Sequence, residues 1–135
     1  MKKFKMFVYG TLRKGNVNYE KYLENNVISI EEAYTYGKMY YLEKEECPAL
    51  IDGDDKVYGE IIECTDDDDY TLLKQVDHLE KYFGDNSCIM YEKRDKKVFR
   101  KDGTSEIVPT YIFINASYIN HNMPIESGDF NQFSR

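Results

Sequence analysis

The apolar run Phe4 to Val8 stops on Tyr9-Gly10-Thr11-Leu12-Arg13, with Gly15 two residues on. An extended segment that ends on Tyr-Gly and passes into polar residues is a strand leaving the core for a loop. Gly10 allows another group to approach the main chain closely, and successive backbone N–H groups in such a loop can hold an anion or an oxyanion. The same five residues also fit an ordinary strand exit, so their role depends on what the rest of the chain supplies.

At 135 residues the chain has the length of one domain with a single core. A 41% apolar and 15% aromatic composition is that of a folded protein, and 13 tyrosines without tryptophan favour strands and hydroxyl-bearing pocket walls. The net charge of −7 repels phosphate backbones, and Lys2-Lys3-x-Lys5 is too short to reverse that, so no nucleic-acid partner is expected. No leader-like or membrane-spanning apolar stretch is read, and a cytoplasmic location without membrane association is the default expectation. Cys47, Cys64 and Cys88 lack the spacing of a disulfide framework or a zinc site, and His78 and His121 have no partner at ligand spacing, so reduced thiols and no metal are expected.

Periodicity predicts a strand over 3–9 and a short helix over 18–24, with Tyr19, Tyr22 and Leu23 on one face. Two further strands, 33–42 and 57–64, each contain a glycine, Gly37 and Gly59, marking a bulge or a close approach. Thr65 with Asp66 to Asp69 supplies an N-cap and negative charge for a main helix on which Leu72, Leu73, Val76 and Leu79 repeat. The acidic run lacks the alternation of a calcium loop. Gly84 can terminate that helix. Strands 89–99 and 106–114 flank Asp102-Gly103, a hairpin signal, and Pro109 places the second at an edge or bulge. Residues 116–135 read as a tail or lid. The sum is one domain, residues 1–135, of α+β class: a small mixed, partly closed β-barrel with flanking helices.

On the main helix Asp77 and Glu80 share a face, and Glu80 is flanked by Leu79, Tyr82 and Phe83. A carboxyl dried by apolar neighbours has a raised pKa and exchanges protons near neutrality, whereas the spacing alone better describes a solvated pair. The order of motifs adds to this reading. Tyr9-Gly10-Thr11-Leu12-Arg13-x-Gly15, Gly37 and Tyr40 ahead of Pro48-Ala49-Leu50, Val57-x-Gly59-Glu60, Val76-Asp77-x-Leu79-Glu80-x-Tyr82 and Ser127-Gly128-Asp129-Phe130 together resemble the γ-glutamyl cyclotransferase-like superfamily, which includes AIG2-like proteins and γ-glutamylamine cyclotransferases.

The resemblance implies a compact barrel whose pocket is formed by the Tyr-Gly-Thr-Leu loop and a catalytic glutamate that maps onto Glu80. It implies a γ-glutamyl small molecule as substrate, 5-oxoproline and a freed amine as products, and no metal or nucleotide cofactor. Tyr9, Gly10, Thr11, Leu12, Arg13 and Tyr82 are the candidate substrate-binding residues. Arg13 also suits a surface pair and Tyr82 also suits the core. The chain departs from the family pattern at Lys81, where glycine is usual, at Phe130, where tryptophan is usual, and at Cys47. The family's Tyr-x-Arg is only approximated by Tyr91-x-Lys93-Arg94, which leaves the strand register open. The alternative to an enzyme is a binding module for a small acidic or amide ligand. The leaving amine and the oligomeric state are not written in the sequence.

Overall fold

The computed structural model describes residues 2–10, 12–16, 18–42, 47–83, 88–89, 91–113 and 124–132, with the side chains of 47, 78–83, 88–89, 91 and 132 outside that description. Five strands close into a barrel in the order β1 (Lys2–Val8), β3 (Cys47–Asp66), β2 (Val27–Leu42), β6 (Tyr91–Arg100) and β7 (Ser105–Phe113). All neighbours are antiparallel except the closing seam, where β1 and β7 run parallel at Phe7 and Thr110. The expected α+β barrel is therefore observed, and it is closed rather than partly closed. Helix α1 (Thr71–Lys81) follows β3, and the short strands β4 (Tyr82–Phe83) and β5 (Cys88–Ile89) pair with each other. Among the described residues no helix is long and apolar enough to cross a membrane.

Strand alternation divides the core in two. Phe7, Ala33, Val57, Ile61, Val98 and Val108 form one cluster, drawn from all five barrel strands and covered by Ile125 and Phe130. Their neighbours Phe4, Met6, Val8, Ile62 and Cys64 point the other way, against Val76 of α1 and against Tyr19 and Leu23. Those last two residues belong to the predicted 18–24 helix, which is a π-helical turn over Tyr19–Leu23 followed by a 3-10 turn over Glu24–Asn26. The part of the 116–135 segment that is described packs on the barrel: Ile125 N–H donates to Met39 O at 2.8 Å and Tyr58 N–H to Gly128 O at 2.7 Å.

β2 and β3 are longer than their apolar cores suggest, 16 and 20 residues. The register jumps from Gly37↔Asp55 to Lys38↔Ile51, so the acidic stretch around Gly53 is a bulge inside β3. A Cβ on Gly59 would lie 2.1 Å from Val8 O, which is the close approach expected there. The β6–β7 hairpin turns through Asp102 and Gly103, with Gly103 at φ +90° and Thr104 N–H donating to Asp102 Oδ1 at 2.9 Å. Pro109 lies opposite Asp95 on β6 and next to Thr110, the residue of β7 that meets Phe7 of β1.

The helix cap differs from the sequence expectation. Thr65 stays in β3 opposite Lys3, and its Oγ1 donates to Asn26 O at 3.3 Å. Asp66 and Asp67 do the capping: Asp67 Oδ1 accepts Thr71 N–H at 2.9 Å, and the two oxygens of Asp66 accept Leu72 and Leu73 N–H at 3.0 and 2.9 Å. Tyr70, at φ +56°, turns the chain from strand to helix.

Two outcomes follow from this packing. Gly128 has φ +72° and a Cβ there would sit 2.0 Å from Lys56 O, whereas nothing lies within 4 Å of a Cβ on Gly103. Gly103→Ala is expected to cost about 1 kcal/mol and Gly128→Ala about 2–3 kcal/mol in urea unfolding, since only the second adds a backbone collision to the left-handed strain. Equal costs would contradict the close packing of the 124–132 segment. Cys64 is a fully buried free thiol, and burial, with Asp66 and Glu63 adding to it, pushes it up to about 12 from 9.0. Iodoacetamide at pH 8 should leave it unlabelled until the chain is unfolded. Because the folded-state pKa is the raised one, the contribution from this thiol is complete below pH 9.0 and is lost as pH rises toward 12.

Candidate active site

β1 pairs with β3 as far as Val8↔Glu60, and the next residue begins the loop. Tyr9 is buried, and its hydroxyl donates to Tyr111 O of β7 at 2.7 Å. The Tyr111 hydroxyl in turn donates to the Asp77 carboxylate of α1 through a short hydrogen bond. Lys93 Nζ of β6 lies 2.7 Å from Asp77 Oδ1. One residue, Tyr111, thus ties the start of the loop to α1. Glu80 follows Asp77 by three positions on that helix, about one turn. The Glu80 and Tyr82 side chains and all of Thr11 lie outside the described residues; the Tyr82 backbone belongs to β4.

The described residues of the loop are held by packing and by two turns. A Cβ on Gly10 would lie 2.7 and 2.9 Å from the Pro48 ring, so glycine is what allows Pro48-Ala49-Leu50 to pack on it. Leu12 is buried at 2% exposure. Arg13 N–H closes a turn onto Gly10 O at 3.0 Å, and Asn16 N–H closes another onto Arg13 O at 3.1 Å. Gly15 adopts φ +95° within this second turn.

Arg13 is only 6% exposed. Its Nε donates to Glu60 Oε2 at 3.2 Å and its Nη1 to Asp129 Oδ1 at 2.7 Å. Glu60 Oε1 accepts the Lys14 N–H at 3.0 Å. Residues from three distant motifs, 9–15, 57–60 and 127–130, therefore converge on one guanidinium. Asp129 follows Gly128, whose left-handed backbone and exclusion of a side chain let the segment lie against Lys56. Phe130, in the position usually taken by tryptophan, is buried in the barrel cluster.

The strand register left open by Tyr91-x-Lys93-Arg94 is settled by these contacts. Lys93 faces α1 and pairs with Asp77, while Arg94 pairs with Glu92 at the exposed surface. Sequence reasoning placed neither Tyr111 nor Lys93 at the site, and did not pair Arg13 with Glu60 and Asp129. Asp77 enters the sequence reading through its shared face with Glu80 and its place in the Val76-to-Tyr82 motif, without a partner.

Residues 6–132 match the family described as gamma-glutamyl cyclotransferase, AIG2-like. The chain is 28% identical over 114 residues to the gamma-L-glutamyl-butirosin B gamma-glutamyl cyclotransferase of Niallia circulans, covering 84% of this chain and 69% of that protein. It superposes on YkqA of Bacillus subtilis with a TM-score of 0.66 and 25% identity over 97% of its own length, and spans 40% of that longer chain. An AIG2-like protein of Mus musculus shares the fold, with a TM-score of 0.66, 21% identity and coverage of 91% of this chain and 83% of the other. With the family match running through the loop, α1 and the Gly128-Asp129 segment, the chain belongs to the AIG2-like gamma-glutamyl cyclotransferase family and is a γ-glutamyl cyclotransferase-like enzyme.

Proposed function

We propose that this protein converts a γ-glutamyl amine or peptide into 5-oxoproline and the free amine, with Glu80 as general acid–base. The observation that carries this reading is the Tyr9–Tyr111–Asp77 connection, which fastens the strand-end loop to the helix bearing Glu80.

The α-nitrogen of the substrate attacks its own γ-carbonyl carbon. A carbon–nitrogen bond of the five-membered lactam forms as the bond to the leaving amine breaks. Glu80 takes a proton from the α-ammonium and returns one to the departing nitrogen. The amine leaves as its ammonium ion, so the protons shed by the attacking nitrogen end on the leaving one and no co-reactant is consumed. Folding the substrate so that amine and carbonyl meet supplies a large share of the acceleration, as in other intramolecular reactions.

The loop N–H groups are divided by the contacts described. Those of Arg13 and Lys14 are committed to Gly10 O and Glu60. The 10–12 stretch is therefore assigned to the substrate, holding its α-carboxylate or the developing oxyanion. Tyr9 shapes the mouth of the loop, and Tyr82, two residues beyond Glu80, is assigned a further substrate contact. Arg13 supports the loop through Glu60 and Asp129, which accounts for its burial better than a substrate contact does.

The test is release of 5-oxoproline and amine in equal amounts from a panel of γ-glutamyl amines, γ-glutamyl dipeptides, glutathione and a γ-glutamylated aminoglycoside. The last is included because of the compound in the Niallia circulans relative's name. Release from one member supports the reading and names the amine class. Thermal stabilisation by panel members with no product would replace it with a binding function.

A further inference from the structure

A cavity of about 240 Å³ beside β2 and β3 is walled by side chains that the proposed reaction does not use: Arg13, Glu32, Tyr34, Tyr58, Lys101 and Asp129. Tyr34 and Tyr58 are cross-strand neighbours with ring centroids 6.2 Å apart, and Tyr58 keeps 38% of its surface exposed. Gly59 also lines the cavity and brings no side chain to it. Neither residues 9–12 nor α1 contributes to its wall.

The charges around this cavity limit what it can hold. Arg13 and Lys101 bring two cations, and Glu60, Asp129 and Glu32 answer them with three carboxylates. A further anion is therefore opposed, and a further cation would have to lie against the Arg13 guanidinium and the Lys101 ammonium. Hydrogen-bonding capacity remains. Arg13 spends Nε on Glu60 and Nη1 on Asp129 Oδ1, and its Nη2 has no partner among the described residues. Asp129 Oδ1 also accepts Asn131 N–H at 3.0 Å, and Oδ2 likewise has no partner among the described residues. The 2.7 Å bond between Nη1 and Oδ1 sets the two groups side by side, so a donor and an acceptor are offered together. The Arg13 and Asp129 side chains are 7% and 18% exposed, and polar atoms this far from water gain from a partner.

We propose that this cavity is a second ligand site, which takes a small neutral aromatic carboxamide. The amide oxygen accepts from Arg13 Nη2, the amide N–H donates to Asp129 Oδ2, and the ring lies against Tyr34 and Tyr58. A primary amide is an uncharged group that presents an acceptor and a donor in one plane. A carboxylate of the same shape sets an oxygen against Asp129, and an amidinium sets an N–H against Arg13. Flat rings gain from offset or edge contacts with tyrosine rings that saturated rings of the same size do not.

The experiment is a titration of the ¹⁵N-labelled full chain with benzamide, followed by amide shifts. Benzoate and benzamidinium, which share its shape, and cyclohexanecarboxamide serve as comparison compounds. Saturable shifts at residues 33–34, 58–59 and 129 are expected with benzamide, and both charged compounds should bind at least about tenfold more weakly, since each turns one hydrogen bond into a contact between like partners. Tyr58→Ala should weaken benzamide roughly tenfold, the size of one good ring contact, while leaving 5-oxoproline release unchanged. Asp129→Asn puts a donor where Oδ2 stands and should reverse the order, with benzoate binding better than benzamide. The site is overturned if benzamide gives no saturable shifts at millimolar concentration, if the shifts gather on residues 9–12 and α1, or if Tyr58→Ala binds as the parent does. Benzoate or benzamidinium binding as well as benzamide overturns the neutral amide, as does an unchanged order in a folded Asp129→Asn protein. Equal binding of cyclohexanecarboxamide overturns the flat ring.

Discussion

Glu80→Gln is expected to lower 5-oxoproline release by roughly two to four orders of magnitude, the usual contribution of a positioned acid–base group. Glutamine keeps the size of the side chain and its place on α1, and removes only the exchangeable proton. Substrate folding and the loop N–H groups remain, so a residual rate above the uncatalysed one is expected. The loss should fall on kcat, because the proton moves in the transition state and not in the bound ground state. Asp77→Asn provides the contrast. The Asp77 carboxylate already receives the Tyr111 hydroxyl and the Lys93 ammonium, so it acts by fastening α1 to the barrel. Its replacement should reduce turnover far less and register mainly as lower stability. Full turnover by a folded Glu80→Gln protein would remove Glu80 from the mechanism.

Arg13→Ala is expected to cost about 3–5 kcal/mol of folding stability, the range found when one member of a buried ion pair is deleted. Two carboxylates lose their cation at once, with the Glu60 and Asp129 side chains only 8% and 18% exposed. Against a total of about 5–15 kcal/mol for a domain, that is a large fraction, and a fall in Tm of roughly 10–20 °C is the corresponding reading. Arg13→Lys should recover little, since a single ammonium cannot address two carboxylates in the forked geometry seen here. Changing Glu60 and Asp129 to neutral residues in the Arg13→Ala background should recover part of the loss, because most of it is stranded charge. A cost below about 1 kcal/mol for Arg13→Ala would place the cluster with solvent-screened surface pairs.

Much of the barrel was legible. The β6–β7 hairpin follows from Asp102-Gly103, because a left-handed glycine beside a side chain that caps its own turn is a local property. α1 follows from the 3.6-residue recurrence of its leucines and Val76. The extents of β2 and β3 were less legible, since Glu31, Glu32 and the acids around Gly53 are strand residues exposed to solvent and carry no apolar alternation. The cap was misassigned to Thr65 because threonine, Asp66 and Asp67 are all competent caps. Which of them is free to turn inward depends on where β3 stops pairing with β1.

The candidate site was legible as motifs and not as contacts. Glycines at 10, 59 and 128 could be marked in the sequence, but what each makes room for, the Pro48 ring, Val8 O and Lys56 O, appears only when strands are neighbours. Residue chemistry and period fixed the strands, the turns, the main helix and the motif order by which the family is known, because these depend on groups a few positions apart. Tertiary structure alone decided that Arg13 meets Glu60 and Asp129, 47 and 116 positions away, and that Tyr111 joins Tyr9 to Asp77. The β1–β3 pairing and the docking of Gly128 on β3 bring Arg13, Glu60 and Asp129 together, the β1–β7 seam brings Tyr9 to Tyr111, and no local rule of the chain encodes contacts between partners so far apart in sequence.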